Sequence, residues 1–223
     1  MERSGSYFFG DFYDEKLLEE IFHAACADLH LPESRQKDYL KRIKKDVATV
    51  LSSPLGRAAL KAHQYFTELA LRSKLPNGQI LSGIIDRLFM DDEGVWNILD
   101  YKTDSHENIG MKKRYEFQMQ FYAYLVSLMY DQETVKAHIL YTRTGNSFSF
   151  TFSKKELAST GKELQKMVEK IRLQKKAESL DEIERNLSHC RDCYYFNPES
   201  NICIAGLGRS EPIDLEIGQL SLL

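Results

Sequence analysis

The first sixty residues carry two amphipathic patterns with helical spacing. Residues 14–29 place apolar side chains three and four positions apart, which predicts a helix. Its apolar positions are Leu17, Leu18, Ile21, Phe22 and Ala25. Residues 35–51 repeat the spacing, with an apolar stripe opposite lysines, and predict a second helix. A short third helix is predicted after Pro54.

The pattern then changes to that of strands. Residues 65–74 and 79–90 flank Leu75-Pro76-Asn77-Gly78, and the Asn-Gly pair predicts a hairpin. The acidic turn at residues 91–94 leads into a third strand over residues 95–103. These three strands are expected to form an antiparallel meander.

The second half of the chain alternates helix and strand patterns. Residues 112–130 predict a long aromatic-rich helix, residues 135–141 a central strand, residues 147–152 a further strand and residues 154–176 a charged amphipathic helix. This order predicts an α/β fold in which a mixed β-sheet lies between helices.

Composition and charge limit the possible classes of function but do not select one of them. At 43% hydrophobic and 28% charged, the 223 residues have the make-up of a globular protein of one domain, or of one domain with a small appendage. The formal net charge of −3 argues against a surface coated in nucleic-acid-binding charge. It does not exclude a nuclease, because carboxylates that hold metal ions add negative charge at the site itself.

Patterns for membrane insertion, secretion and ATP binding limit where the protein is located and what it does. No apolar run approaches the roughly 20 residues needed to span a membrane. The N-terminal segment has no secretory pattern, so a cytoplasmic location without membrane contact is expected. The chain has no GxxxxGK[ST] loop and is therefore not itself an ATP motor.

Candidate chemistry is concentrated at Asp86 and at Asp100-Tyr101-Lys102, which interrupt apolar strands. Ionisable groups there are costly to bury unless they are paired or bind metal. Asp100 and Lys102 project from one face because side chains alternate along a strand, and strand pairing can bring Asp86 beside them. Two carboxylates suit Mg²⁺, and a lysine can orient water or stabilise developing charge. The competing interpretation is a buried salt bridge between Lys102 and one aspartate.

Two flanking segments add to this pattern. His23 lies on or beside the apolar stripe of the first helix, where a lone histidine is usually a satisfied core residue. Tyr115, Gln118 and Tyr122 are spaced three and four apart and share one helical face. Aromatic residues at this spacing are usually core, but a buried glutamine amide needs hydrogen-bond partners.

Taken together, His23, GIIDRLF at residues 83–89, ILDYKTD at residues 98–104 and the Tyr115-Gln118-Tyr122 helix resemble the RecB-type nucleases of the PD-(D/E)XK superfamily. The likeness is greatest to the C-terminal nuclease domain of AddA-type and related UvrD-like helicase–nuclease proteins. It implies a restriction-endonuclease-like core over about residues 14–178. A nuclease domain is then expected at residues 1–185, followed by a small Cys-bearing appendage and tail at residues 186–223.

The resemblance implies roles for the matched positions. The metal ligands would be Asp86, Asp100, His23 and the backbone carbonyl of Tyr101. Lys102 would position or activate the attacking water. Gln118 and Tyr122, with Tyr115 as a weaker member, would support the site and contact DNA.

Two further residues near the site have open interpretations. Glu68, in the strand before the hairpin, is a candidate extra metal ligand, or an acid that supports the metal ligands without binding the metal itself. Arg87, beside Asp86, is a candidate phosphate contact, since basic side chains give affinity without sequence specificity.

Three of the four cysteines form a separate group, Cys190, Cys193 and Cys203. Some RecB-type relatives bind a [4Fe–4S] cluster through three such cysteines and one upstream. Here Cys26 follows His23 rather than preceding it, which disagrees with that pattern. Zn²⁺ held with His189, a site without metal, and a buried Cys26 are the alternatives.

The expected function is a DNA nuclease that uses Mg²⁺ or Mn²⁺, acting on DNA ends in recombination or repair. A helicase, fused or separate, is the expected partner. The alternatives are an inactive DNA-binding or scaffolding module with a nuclease fold, and a stand-alone Cas4-like iron–sulfur nuclease.

Overall fold

A computed structural model of the chain describes residues 8–9, 12–103 and 109–177, with side chains for residues 14–103 and 115–177. Three helices come first: α1 (Glu15–Asp28), α2 (Glu33–Ser52) and α3 (Pro54–Lys61). Two of them begin at side-chain caps. The Asp14 carboxylate accepts hydrogen bonds from the first turn of α1, and the Ser53 hydroxyl accepts one from Gly56 N–H of α3.

Five strands form the main sheet. They are β3 (Tyr65–Lys74), β4 (Ile80–Met90), β5 (Trp96–Lys102), β6 (Thr134–Tyr141) and β7 (Ser147–Ser153), and they lie side by side in chain order. Neighbours are antiparallel except β5 and β6, which are parallel. Before α1, the short strands β1 (Phe8–Phe9) and β2 (Phe12–Tyr13) pair as a separate antiparallel ribbon.

Two long helices complete the described chain. Helix α4 (Ile109–Tyr130) is the crossover that a parallel strand pair requires, since β5 and β6 cannot be joined by a tight turn. Helix α5 (Lys154–Gln174) follows β7 directly. The chain divides into two compact units, residues 1–166 and 167–223, and the described part of the second unit is residues 167–177.

The sheet is covered by helices on both faces. Ala59 of α3 packs with Phe89, Leu99 and Leu140 in one buried cluster. Side chains alternate along a strand, so Ile98 and Asp100 of β5 lie on the opposite face from Leu99. There the Asp100 carboxylate contacts Gln118 of α4. On the α4 face, Trp96 packs against Tyr130 with ring centroids 4.7 Å apart.

The observed elements confirm the predicted α/β fold with a mixed sheet flanked by helices, and each predicted element is present. The Asn-Gly hairpin and the acidic turn both use glycine in the left-handed region, with φ 84° at Gly78 and 77° at Gly94. Within the described residues, no helix is both long and apolar enough to cross a membrane. The predicted Cys-bearing appendage, residues 186–223, lies outside the described residues.

The buried face of α1 differs from the prediction. Phe22 and Cys26 are buried, whereas Ile21 and Ala25 are exposed. The stripe is therefore rotated by about one position, because a helix with apolar residues at both i and i+1 offers two alternative faces.

Candidate active site

Strands β4 and β5 separate at the two aspartates. Their antiparallel pairing runs from Met90 opposite Trp96 to Arg87 opposite Leu99 and ends there. The next pair in that register is Asp86 opposite Asp100. Since directly opposite residues of an antiparallel pair share a face, both carboxylates lie on the α4 side of the sheet.

The Asp86 carboxylate maintains this separation. Its Oδ2 accepts a hydrogen bond of 2.9 Å from Tyr101 N–H. The β4–β5 pairing ends at Arg87 and Leu99, so Tyr101 N–H has no backbone partner on β4, and the Asp86 side chain accepts its hydrogen bond instead. A buried N–H without a partner costs about 1–3 kcal/mol, so the Asp86 side chain is fixed next to Asp100.

The Asp100 carboxylate is the more buried of the two, with 4% of the residue exposed. Its Oδ1 accepts a hydrogen bond from Gln118 Nε2 at 3.2 Å. Its Oδ2 lies 2.6 Å from Lys102 Nζ but has no directional hydrogen bond. Burial raises the pKa of this carboxyl above its ordinary value; Lys102 opposes the shift and the charge of Asp86 adds to it.

Lys102 and Gln118 connect Asp100 to helix α4. The Lys102 ammonium lies 3.4 Å from Gln118 Oε1 and 4.7 Å from the centre of the Tyr115 ring. Gln118 Nε2 also lies 3.2 Å from the Tyr122 hydroxyl oxygen. Tyr115 is buried and therefore packs as the helical spacing predicts, while the Gln118 amide has the partners that its burial requires.

We call this set the Asp100 cluster. Its members are Asp86, Asp100, Lys102, Gln118 and Tyr122. The sequence pattern predicts that the five residues lie on β4, β5 and α4, and the structure brings them together.

Gly83 lets α4 approach the sheet at this point. A Cβ on Gly83 would lie 2.9 Å from Cε1 of Tyr122 and 3.1 Å from Cε1 of Phe121. The motif GIIDRLF therefore needs its glycine for close packing, as a glycine inside a strand often signals. That signal was available in the sequence, although the motif alone did not assign the glycine a role.

Glu68 stands across from Asp86 on the neighbouring strand. The pairs Thr67–Arg87 and Leu69–Ile85 flank this position in the β3–β4 ladder. Glu68 is exposed and has φ 51°, a left-handed conformation that a non-glycine residue rarely adopts in a strand. The candidate acid is thus next to the site in register.

The expectation that Arg87 contacts phosphate is wrong. Its side chain is directed to the opposite face of the sheet from Asp86, where only 7% of the residue is exposed. Nε and Nη2 donate to the carbonyl of Ala59, and the guanidinium stacks 4.2 Å from the Tyr65 ring centre. Burial lowers the pKa of Arg87 below its ordinary value. Arg87 therefore ties α3 to β4 behind the site.

His23 is exposed on α1 and packs edge-on against the Phe22 ring, with centroids 5.5 Å apart. The core interpretation of this histidine is therefore wrong. Among residues 14–103 and 115–177, no three His, Cys, Asp or Glu side chains lie close enough to hold a metal ion. The structure accordingly does not gather His23 with Asp86 and Asp100.

The donor set nevertheless fits a divalent cation of the hard type. Asp86 and Asp100 supply carboxylate oxygens, which Mg²⁺ prefers. Asp100 Oδ2 is buried without a directional hydrogen bond, and the charge of Asp86 adds to the cost of ionising Asp100. A bound cation would relieve both effects.

The cysteine predictions are only partly covered by the structure. Cys26 is a free thiol and is buried, as a small apolar residue would be. Cys190, Cys193 and Cys203 lie outside the described residues.

Comparisons with known proteins agree with the site. A family model for the PD-(D/E)XK nuclease superfamily matches residues 11–197. The chain is 35% identical over 68 residues to an ATP-dependent helicase/nuclease subunit from Streptococcus pyogenes serotype M2 (strain MGAS10270). This match covers 30% of the chain and only 6% of that relative.

Among solved structures, the crystal structure of SSO0001 aligns with 85% of this chain and 98% of its own at 16% identity and a TM-score of 0.41. A likeness of this size carries no argument about fold or function.

Proposed function

The chain belongs to the PD-(D/E)XK nuclease superfamily, and we propose that it is a metal-dependent deoxyribonuclease that hydrolyses phosphodiester bonds at the Asp100 cluster. The observation that carries this proposal is the buried Asp100 carboxylate, whose Oδ2 faces an ammonium and has no directional hydrogen bond. A purely structural carboxylate at this depth would be expected to have both oxygens hydrogen-bonded.

The residues of the chain divide the work. Asp86 and Asp100 would hold the cation, with the Tyr101 carbonyl as a further proposed ligand. A bound Mg²⁺ supplies polarisation of the phosphate and lowers the pKa of a coordinated water. Lys102 donates to the attacking water or to the phosphate oxygen on which negative charge develops.

Helix α4 positions these groups. Gln118 bonds to Asp100 through Nε2 and approaches Lys102 through Oε1, so that one amide sets the orientation of both side chains. Tyr122 lies against the same amide and presents its ring beside Gly83. His23 and Glu68 remain proposals as outer ligands, each on an exposed surface.

The helicase/nuclease relative supports a proposal about the setting in which the chain acts. The resemblance of the motifs to RecB-type nucleases supports our proposal that this chain acts on DNA ends in recombination or repair as an exonuclease, and the 68 matching residues support a helicase partner. The chain itself contains no phosphate-binding GxxxxGK[ST] loop, so the motor would lie in another polypeptide or in another segment of a longer one.

The domain limits and the cysteines belong to the same proposal. Residues 1–185 would form the nuclease domain and residues 186–223 an appendage. If Cys190, Cys193 and Cys203 bind a [4Fe–4S] cluster, anaerobically purified protein is brown with visible absorbance. Zinc in metal analysis of colourless protein supports the alternative site.

Cleavage of end-labelled linear and circular single-stranded DNA tests the proposed activity. The wild type is expected to cut with Mg²⁺ or Mn²⁺ and to be inactive with EDTA. Asp100→Ala should lose the activity, whereas Asp92→Ala, in the exposed turn, should retain it. Sparing of circles identifies an exonuclease. Folded wild-type protein that neither cuts DNA nor binds Mn²⁺ would overturn the proposal in favour of an inactive module.

A further inference from the structure

Among the described residues, the Lys102 ammonium lies near one carboxylate, one amide oxygen and one aromatic ring. Nζ lies 2.6 Å from Asp100 Oδ2, 3.4 Å from Gln118 Oε1 and 4.7 Å from the centre of the Tyr115 ring. The side chain of Lys102 is 19% exposed and Tyr115 is 8% exposed. Electrostatic interactions at this depth are stronger than they are in water.

The cation proposed for this site competes with the ammonium for one oxygen. Oδ1 of Asp100 already accepts a hydrogen bond from Gln118 Nε2, whereas Oδ2 has no directional hydrogen bond. Oδ2 is therefore the free ligand position, and the ammonium now lies against it. Two cations cannot share this oxygen at contact distance, since like charges repel strongly in a buried site.

The other two neighbours remain when the oxygen is taken. Tyr115 and Gln118 are three positions apart on α4 and so share one helical face. The ring face and the amide oxygen each attract a cation without carrying a charge. If the lysine chain rotates away from Oδ2, the amide oxygen and the ring face are the described groups that remain within its reach.

We propose that Tyr115, together with Gln118, holds the Lys102 ammonium after a divalent cation has displaced it from Asp100. This inference rests on the proposed function, because it assumes that Asp100 binds the cation. Tyr115 is then a positioning residue that acts through Lys102. The metal-free enzyme keeps Asp100 neutralised, and the loaded enzyme keeps its lysine at the site.

The proposal predicts opposite effects on cation affinity for the two partners. Lys102→Met removes the competing charge and should tighten Mn²⁺ binding by about tenfold. Tyr115→Leu should weaken binding by about five- to tenfold, because the ammonium depends more on the ring after it has lost the Asp100 carboxylate than it does in the metal-free enzyme. Tyr115→Phe keeps the ring and should stay within about twofold of the wild type.

Calorimetric titration of the full chain with Mn²⁺ at one pH tests this directly. The decisive variant is Lys102→Met/Tyr115→Leu, which should bind Mn²⁺ as tightly as Lys102→Met alone because Tyr115 acts only through the lysine. Phe117→Leu, an exposed aromatic on the same helix, is the matched control and should bind as the wild type does. Unfolding curves verify that each variant is folded.

Each other outcome is informative. If Tyr115→Leu weakens binding equally with and without Lys102, Tyr115 acts through the fold and the inference is wrong. Failure of Tyr115→Phe to restore affinity would also contradict it, since the hydroxyl and not the ring would then matter. If neither the wild type nor Lys102→Met binds Mn²⁺, this inference fails, and the proposed nuclease function fails with it only if the wild type also cuts no DNA.

Discussion

Two polar clusters lie at opposite ends of β5 and on opposite faces of the sheet. The Asp91 cluster consists of Asp91, Asn97, Lys136, His138 and Ser149, at the start of the strand. The Asp100 cluster lies at its end. Both contain a partly or fully buried aspartate and a lysine, yet the pKa of Asp91 is lowered to about 2 whereas that of Asp100 is raised.

The Asp91 cluster is a closed network. Partial burial pushes the pKa of Asp91 up, but hydrogen bonds from Lys136, Asn97 and the Val95 N–H outweigh this effect. Asn97 Oδ1 lies 2.9 Å from His138 Nε2, and His138 Nδ1 lies 2.8 Å from the Ser149 hydroxyl. A neutral imidazole protonated at Nε2 satisfies both contacts.

The Asp100 cluster lacks this closure. One carboxylate oxygen has no directional hydrogen bond, and the neighbouring carboxylate of Asp86 opposes its ionisation. An aspartate and a lysine can therefore stabilise a turn in one cluster and leave an oxygen available to a ligand in the other. In the structural cluster hydrogen bonds hold the pKa of the aspartate down, whereas in the functional one burial raises it in spite of the neighbouring ammonium.

Apart from variants of Asp100 itself, the largest expected effect is the loss of cleavage activity in Lys102→Met. Loss of the ammonium should lower kcat by about 10²- to 10³-fold, because a positioned donor stabilises charge that develops in the transition state. Without metal, the midpoint of urea unfolding should fall, because the buried Asp100 carboxylate loses its paired charge. A cleavage assay at saturating Mg²⁺ checks this prediction. Retained activity would mean that Lys102 has only a structural role, as Lys136 has in the Asp91 cluster.

A smaller effect is expected from Gly83→Ala. The added Cβ meets the Tyr122 ring at 2.9 Å, so α4 or the ring must shift, at a cost of about 1 kcal/mol. Displaced Tyr122 should disturb Gln118, and kcat should fall about tenfold. Ser82→Ala, exposed on the same strand, is the control for folding and activity. Equal behaviour of the two variants would show that the close packing does not support the site.

The smallest effect on the reaction itself is expected from the closed network, which instead makes the stability of the protein depend on pH. Burial, with the charge of Lys136, lowers the pKa of His138 from 6.5 to about 4. The unfolded chain then binds the proton more readily, so stability is complete above pH 6.5 and falls toward pH 4, by about 3 kcal/mol. Urea unfolding across this range should give a steeper loss for the wild type than for His138→Asn. Parallel curves would contradict the assignment.

Much of the fold could be predicted because its signals are local. Asn77-Gly78 and the acidic turn fix two hairpin connections, and period-two patterns mark the strands. The buried face of α1 was less predictable, since Ile21 and Phe22 are both apolar and only tertiary packing chooses between them.

The sequence predicted which residues form the site better than it predicted how they contact one another. Their spacing made Asp86, Asp100, Lys102 and Gln118 candidates, the resemblance to RecB-type nucleases implied their roles, and strand register explains why Asp86 and Asp100 meet. The burial of Arg87 was not predictable, because its partner is the backbone carbonyl of Ala59, which no sequence pattern specifies. For the same reason the contact of Lys102 with Tyr115 needed the structure.

The most direct test of the contrast is a matched pair of isosteric variants, Asp100→Asn and Asp91→Asn, each measured for DNA cleavage and for the free energy of urea unfolding. Asp100→Asn should abolish cleavage and leave stability unchanged or higher, because it removes a buried charge. Asp91→Asn should keep cleavage and lose about 1 kcal/mol, because it weakens the contact with Lys136. Full activity in Asp100→Asn, or loss of activity only in Asp91→Asn, would contradict the account.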